Sequence, residues 1–115
     1  AEVFVLGQKA GLDLNIIYDT LVKGAGYTRL LENRGPLIIN RDFKKRGTIE
    51  IMNKDLAACG DLAKEAGAPF LLGDIVENIY KQTYNDFDPM EDLTAVIRVY
   101  EEKANMKNDK QRSDI

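Results

Sequence analysis

Helical spacing recurs along this chain almost without interruption, and that limits its fold more than any other feature. Apolar residues return at i, i+3, i+4 and i+7, and glycine or proline punctuates the pattern at short intervals. The longest run is "IEIMNKDLAACGDLAKEAG", from Ile49 to Gly67. Nothing alternates convincingly enough to read as a strand. The run "LII" (Leu37 to Ile39) is the one alternative, and a strand that short lacks a partner.

The punctuation sets the elements. Val3, Phe4, Leu6 and Ala10 share a first helix, and Gly11 suits a left-handed stop. Asp13 can cap a second helix carrying Leu14, Ile17, Tyr18 and Leu21, which Gly24 and Gly26 end. Thr28 can cap a third through "RLLENRGPLII", where Pro36 removes a backbone donor and is expected to kink or divide the helix. The Ile49 helix follows a basic turn, "RDFKKRG".

Gly67 and Pro69 then break the chain. A fifth helix is expected to bury Leu72, Ile75, Val76, Ile79 and Tyr80. In "DFDPMED", Asp88 as cap, Pro89 at the first helical position and Glu91 beyond predict the start of a sixth. Its buried face is Leu93, Val96, Ile97 and Tyr100. From Lys103 the tail, residues 103–115, is polar and expected to fray. The fold class is all-α, a bundle of about five or six helices.

Composition removes several functions. With 115 residues and 44% hydrophobic content, one compact domain with a core is feasible. A net charge of −3 gives no electrostatic footprint for nucleic acid. No apolar run is long enough for a membrane span. Cys59 is the single cysteine, so no internal disulfide forms, which fits a reducing cytoplasm. The absence of histidine excludes Ser-His-Asp and Cys-His catalysis within this chain, along with histidine metal sites, and no metal is expected. "GAGYTR" lacks the third glycine and the preceding strand of a dinucleotide loop. The opening "AEVFVLGQKAG" lies already inside a helical pattern and reads as a cut through a longer helix.

The pair Lys54–Asp55 interrupts the longest run. With Ile49 at zero on a helical wheel, Asp55 falls at about 240°, inside the apolar arc, and Lys54 near about 140°, at its polar edge. A carboxylate among apolar neighbours needs donors, and adjacent helical residues do not face each other. Asp55 is therefore expected to pin packing against another segment or subunit. Lys54 is either a solvated side chain or a group aimed into a cleft.

Several segments, "GQKAGLDLNIIYDTL", "LENRGP", "RDF", "IMNKDLAACGDLAKEAGAP" and "EDLTAVIRVYE", come in an order and spacing that resembles the C-terminal helical domain of the β-hydroxyacid dehydrogenase family, the 3-hydroxyisobutyrate dehydrogenase-like enzymes. The resemblance covers residues 1–102 and implies a domain like the 6-phosphogluconate dehydrogenase C-terminal domain. It implies an N-terminal Rossmann domain holding NAD or NADP, absent from this chain. That domain would be joined through a long helix with the catalytic lysine in a glycine-rich motif, also absent. Lys9 and Lys23 lack that context. Lys54, Asp55 and Leu56 match the family's K-D-L motif, so the resemblance implies that Lys54 reaches the cofactor near its nicotinamide while Asp55 supports the helix.

Many family members carry an aromatic residue one and a half to two turns before this lysine. Here Gly47 and Thr48 stand there, which implies a roomier or more polar pocket for hydroxylated acids. Tyr27, Thr28 and Arg29 either approach the substrate or simply begin a helix with Thr28 as cap.

Two functions follow. One is the substrate and oligomerisation domain of an NAD(P)-dependent 3-hydroxyacid dehydrogenase or reductase, homo-oligomeric and inactive alone. The other is a non-catalytic helical assembly module. Because Val3, Phe4 and Leu6 lack an upstream continuation, self-association is expected.

Overall fold

The computed structural model describes residues 1–106. Its regular structure is helical: α1 (Glu2–Lys9), α2 (Leu14–Val22), α3 (Arg29–Ile39), α4 (Ile49–Ala66), α5 (Leu71–Asp86), a 3-10 turn (Leu93–Val96) and α6 (Ile97–Lys103). Among the described residues there is no strand, only an isolated antiparallel bridge between Thr48 and Asp92. The all-α expectation therefore stands. No helix of the described residues is long and apolar enough to cross a membrane. The described residues divide into two compact units, one formed by Ala1–Phe43 with residues 100–106, the other by Lys44–Val99.

In the first unit, α1 packs on α2 and α2 on α3. The core holds Phe4, Val5, Ile17, Ile38 and Phe43. Phe4 is thus buried, whereas Val3 and Leu6 on the same helix are 51% and 68% exposed. Gly11 ends α1 as expected, at φ 94°, with its N–H donated to Gln8 O and that of Leu12 to Gly7 O. Asp13 and Thr28 cap α2 and α3 by accepting from the amides of Asn15 (2.8 Å) and Leu31 (3.0 Å).

Pro36 does not divide α3, which runs unbroken from Arg29 to Ile39. A proline at position 36 deprives the carbonyl of Glu32 of its helical donor. The Tyr18 hydroxyl replaces it, donating to Glu32 O at 2.9 Å. Gly35 makes room for this, since a Cβ there would overlap the Tyr18 ring. At the end of α3, Arg41 takes the left-handed conformation (φ 54°) that glycine usually supplies. Its guanidinium is fixed by a two-pronged pair with Glu101 (2.8 and 2.9 Å), both residues being buried.

In the second unit, α4 and α5 are joined through residues 67–70 and pack together. Thr48 caps α4 by accepting from Ile51 N at 3.2 Å, and Gly67 (φ 69°) closes it. The expected core face of α5 is corrected. Leu72, Ile75 and Val76 are 79%, 58% and 39% exposed, and Tyr80 with Thr83 is buried. The reason lies in the small residues. A Cβ on Gly60 of α4 would come within 2.9 Å of Glu77 Oε1, and one on Gly73 would overlap the Phe70 ring. α5 therefore turns Gly73, Glu77 and Tyr80 inward, the side that allows close approach.

The sixth helix also begins later than expected. Asp88 accepts from Met90 N (2.9 Å) and shapes a turn. The cap is Asp92, and the 3-10 turn it starts leads into α6. Val96 and Ile97 are buried as expected, while Leu93 and Tyr100 are half-buried. The α6 helix extends through Lys103, and residues 107–115 of the polar tail lie outside the described residues.

Candidate functional site

The candidate residues divide between the two units. In the first, Tyr27 is 47% exposed and donates its hydroxyl to the Glu32 carboxylate, four residues beyond the Thr28 cap. That hydrogen bond is the main reason the Tyr27 hydroxyl is pushed above its ordinary pKa. Thr28 is fully used as the α3 cap.

In the second unit, Gly47, Lys54 and Asp55 belong to the α4 helix and its entry. Gly47 donates its N–H to Asp92 Oδ1 (3.2 Å) and accepts from Leu93 N (2.7 Å). Thr48 is 2% exposed and its hydroxyl serves the helix start. The segment before α4 is thus tied to the segment after α5 by backbone bonds, and any polarity at Gly47 is already spent on Asp92. The amides of Ile49 and Glu50 donate to Glu91 O and Pro89 O. With Ile51 N on Thr48, these first amides of α4 offer no phosphate cradle.

Lys54 projects from α4 into solvent, at the polar edge where the helical phase puts it. Asp55 is expected to pin packing against another segment or another subunit; no described segment of this chain takes that place, and the structure leaves it exposed. The helix buries Ile49 and Gly60 and half-buries Met52, Asn53, Leu56, Ala57 and Ala63. This arc is centred near Ile49, rotated from the middle of the apolar arc towards the small side that meets α5. Ile51 and Leu62 remain 51% and 64% exposed, and Asp55 stands between them. One more atom belongs here: among the described residues, the buried Asn53 Oδ1, next to Lys54 in sequence, has no hydrogen-bond partner.

Sequence reasoning missed the most demanding polar group of this unit. Asp92 is 0% exposed and accepts from Gly47 N, Thr94 N (3.3 Å) and Thr94 Oγ1 (2.6 Å). The Asp-Leu-Thr spacing was a legible cap signal, outweighed by the Asp88-Pro89 pattern before it.

Comparison with known proteins places this arrangement. Residues 1–100 match the family described as NAD-binding of NADP-dependent 3-hydroxyisobutyrate dehydrogenase. L-threonate dehydrogenases of Haemophilus influenzae and Escherichia coli K12 are each 30% identical over 100 residues, 87% of this chain and 33% of theirs. Two solved structures are similar. The 3-hydroxyisobutyrate dehydrogenase of Salmonella typhimurium has TM-score 0.82 and 31% identity, over 85% of this chain and 34% of that one. The Mycobacterium tuberculosis 3-hydroxyisobutyrate dehydrogenase with L-serine has TM-score 0.79 and 29% identity, over 86% and 36%. The chain spans about a third of the length of these relatives. It belongs to the 3-hydroxyisobutyrate dehydrogenase-like family.

Proposed function

We propose that this chain is the helical, C-terminal part of an NAD(P)-dependent dehydrogenase or reductase of small hydroxy acids, and that it works against a Rossmann domain carrying the cofactor. The observation that carries this reading is the family match across residues 1–100, with Lys54 standing exposed at the K-D-L position of α4. The bound nicotinamide would supply the hydride chemistry. This chain would supply Lys54, whose long stem can lie along α4 while its ammonium faces the cofactor. The unpartnered Asn53 Oδ1 beside it fits a donor from a bound group or water.

The described residues contain neither a phosphate-holding loop nor a general acid set in a glycine-rich motif. Catalysis therefore needs the other domain, and the chain alone is inactive in this reading. The L-threonate dehydrogenases among its relatives favour a hydroxylated acid as substrate. The protein works as a homo-oligomer in the cytoplasm.

The test is kinetic. In the polypeptide joined to its cofactor domain, Lys54→Met should weaken NAD(P)H binding about tenfold or more, with unchanged thermal stability. The 115-residue chain should show no turnover of L-threonate or 3-hydroxyisobutyrate with either cofactor. Turnover by this chain alone, or undiminished binding by Lys54→Met, would overturn the reading.

A further inference from the structure

We propose that Asn53 is a specificity residue of the substrate pocket, pairing its side-chain amide with a hydroxyl that the acid carries beyond the one being oxidised. This rests on the dehydrogenase reading above and names what its substrate site selects.

Asn53 belongs to the face of α4 that is covered within its own unit. The other residues of that face are Ile49, Met52, Leu56, Ala57, Gly60 and Ala63, all apolar. An aliphatic side chain would suit the position. The amide does not, because its Oδ1 is shut off from solvent and has no hydrogen-bond partner among the described residues. An acceptor in that state loses its hydration and gains no bond.

The buried polar groups elsewhere in this unit are served. Thr48 accepts from Ile51 N, and Thr94 donates its hydroxyl to Asp92. The Thr83 hydroxyl donates to Ile79 O (2.7 Å) and that of Tyr80 to Leu93 O (3.0 Å). Asn53 has no comparable internal role, since its side chain makes no hydrogen bond among the described residues. A polar group retained against the stability of the fold marks a functional position.

Position and chemistry name the ligand. Asn53 immediately precedes Lys54, so their Cα atoms lie about 3.8 Å apart. In the dehydrogenase reading the Lys54 ammonium faces the nicotinamide, and the acid must lie against that ring to exchange hydride. On the following turn only Ala57 stands between the two side chains on the helical wheel, and its methyl group is too small to wall Asn53 off. Asn53 is half-buried, so a turn about its last side-chain torsion exchanges the enclosed end of the amide with the open one. A carboxylate or phosphate has no proton to give Oδ1. A hydroxyl donates and accepts, and so suits either end. L-threonate, named for the relatives, has hydroxyls beyond the reacting one, and 3-hydroxyisobutyrate has none.

Steady-state kinetics with these two acids, on the polypeptide joined to its cofactor domain, test this. Asn53→Leu and Asn53→Ala should each lower kcat/KM for L-threonate about tenfold or more and leave that for 3-hydroxyisobutyrate within about threefold. Asn53→Leu should melt no lower than the wild type, because it removes an unsatisfied acceptor. Equal losses on both acids would put the amide against the cofactor or in the fold, and overturn the inference. So would unchanged selectivity, an Asn53→Leu protein that melts well below the wild type, or a wild type active on 3-hydroxyisobutyrate but not on L-threonate. All of these leave the dehydrogenase reading standing. A wild type that turns over neither acid overturns both.

Discussion

Asp92 and Asp55 belong to the same unit and have opposite fates. Asp92 is fully buried and Asp55 is exposed, although Asp55 has the more apolar helical surroundings. The difference is the supply of donors. Two backbone amides and the Thr94 hydroxyl converge on Asp92, each from a segment whose own hydrogen bonding would otherwise be incomplete. No described donor reaches Asp55. A carboxylate enters the interior where donors already wait for it, and apolar neighbours alone do not draw it in. Glu101 extends the rule to the other unit: it is 3% exposed because both arms of Arg41 reach it.

The strongest way to break this comparison is at Glu101. Removing one partner of a buried ion pair leaves the other charge uncompensated, so Glu101→Ala should destabilise by about 3–5 kcal/mol. Arg41 would also keep its left-handed backbone without the pair that holds it. Urea denaturation checks this, with Glu101→Gln falling between wild type and Glu101→Ala because the amide still accepts one bond. A loss below about 1 kcal/mol would show that the pair is not needed to bury either group.

Asp92→Ala comes next. It abandons three donors and unfastens the bridge that joins Gly47–Thr48 to the 3-10 turn. The expected loss is about 2–4 kcal/mol. Hydrogen exchange should localise it, with protection falling first at Gly47 and Thr94. If protection at those amides is unchanged, the carboxylate is not what holds the two segments.

These positions mark where the sequence was legible and where it was not. Gly11, Asp13, Thr28 and Gly67 end or begin helices as local rules require, because caps depend on residues within a turn. That Pro36 leaves α3 undivided was not legible, because its remedy comes from Tyr18, eighteen positions earlier, which satisfies the carbonyl the proline strands. The faces of α4 and α5 were misjudged for a related reason. Apolar spacing gives the width of an apolar arc but not which part of it is covered within one chain, and the glycines at 60 and 73 decided that through steric access. Of the candidate site, Lys54 at the edge of α4 was legible from helical phase. The reach of Asp92 to Gly47 was not, since that donor lies 45 residues from it in sequence.

Asp55→Asn is the smallest expected effect and the sharpest check on the contrast. In the wild type the carboxylate is solvated and unpaired within the described residues, so changing it to an amide removes no internal bond. Its position is mid-helix, where asparagine and aspartate have similar propensities. Thermal denaturation at dilute concentration, where association is negligible, should therefore shift by no more than about 0.5 kcal/mol. Asp92→Asn under the same conditions should lose clearly more, because one amide NH2 would be directed at donors. If the two asparagine variants lose stability equally, Asp55 has an internal partner and donor supply does not explain the contrast. If Asp55→Asn is neutral when dilute and loses stability relative to wild type only as concentration rises, the carboxylate acts between molecules.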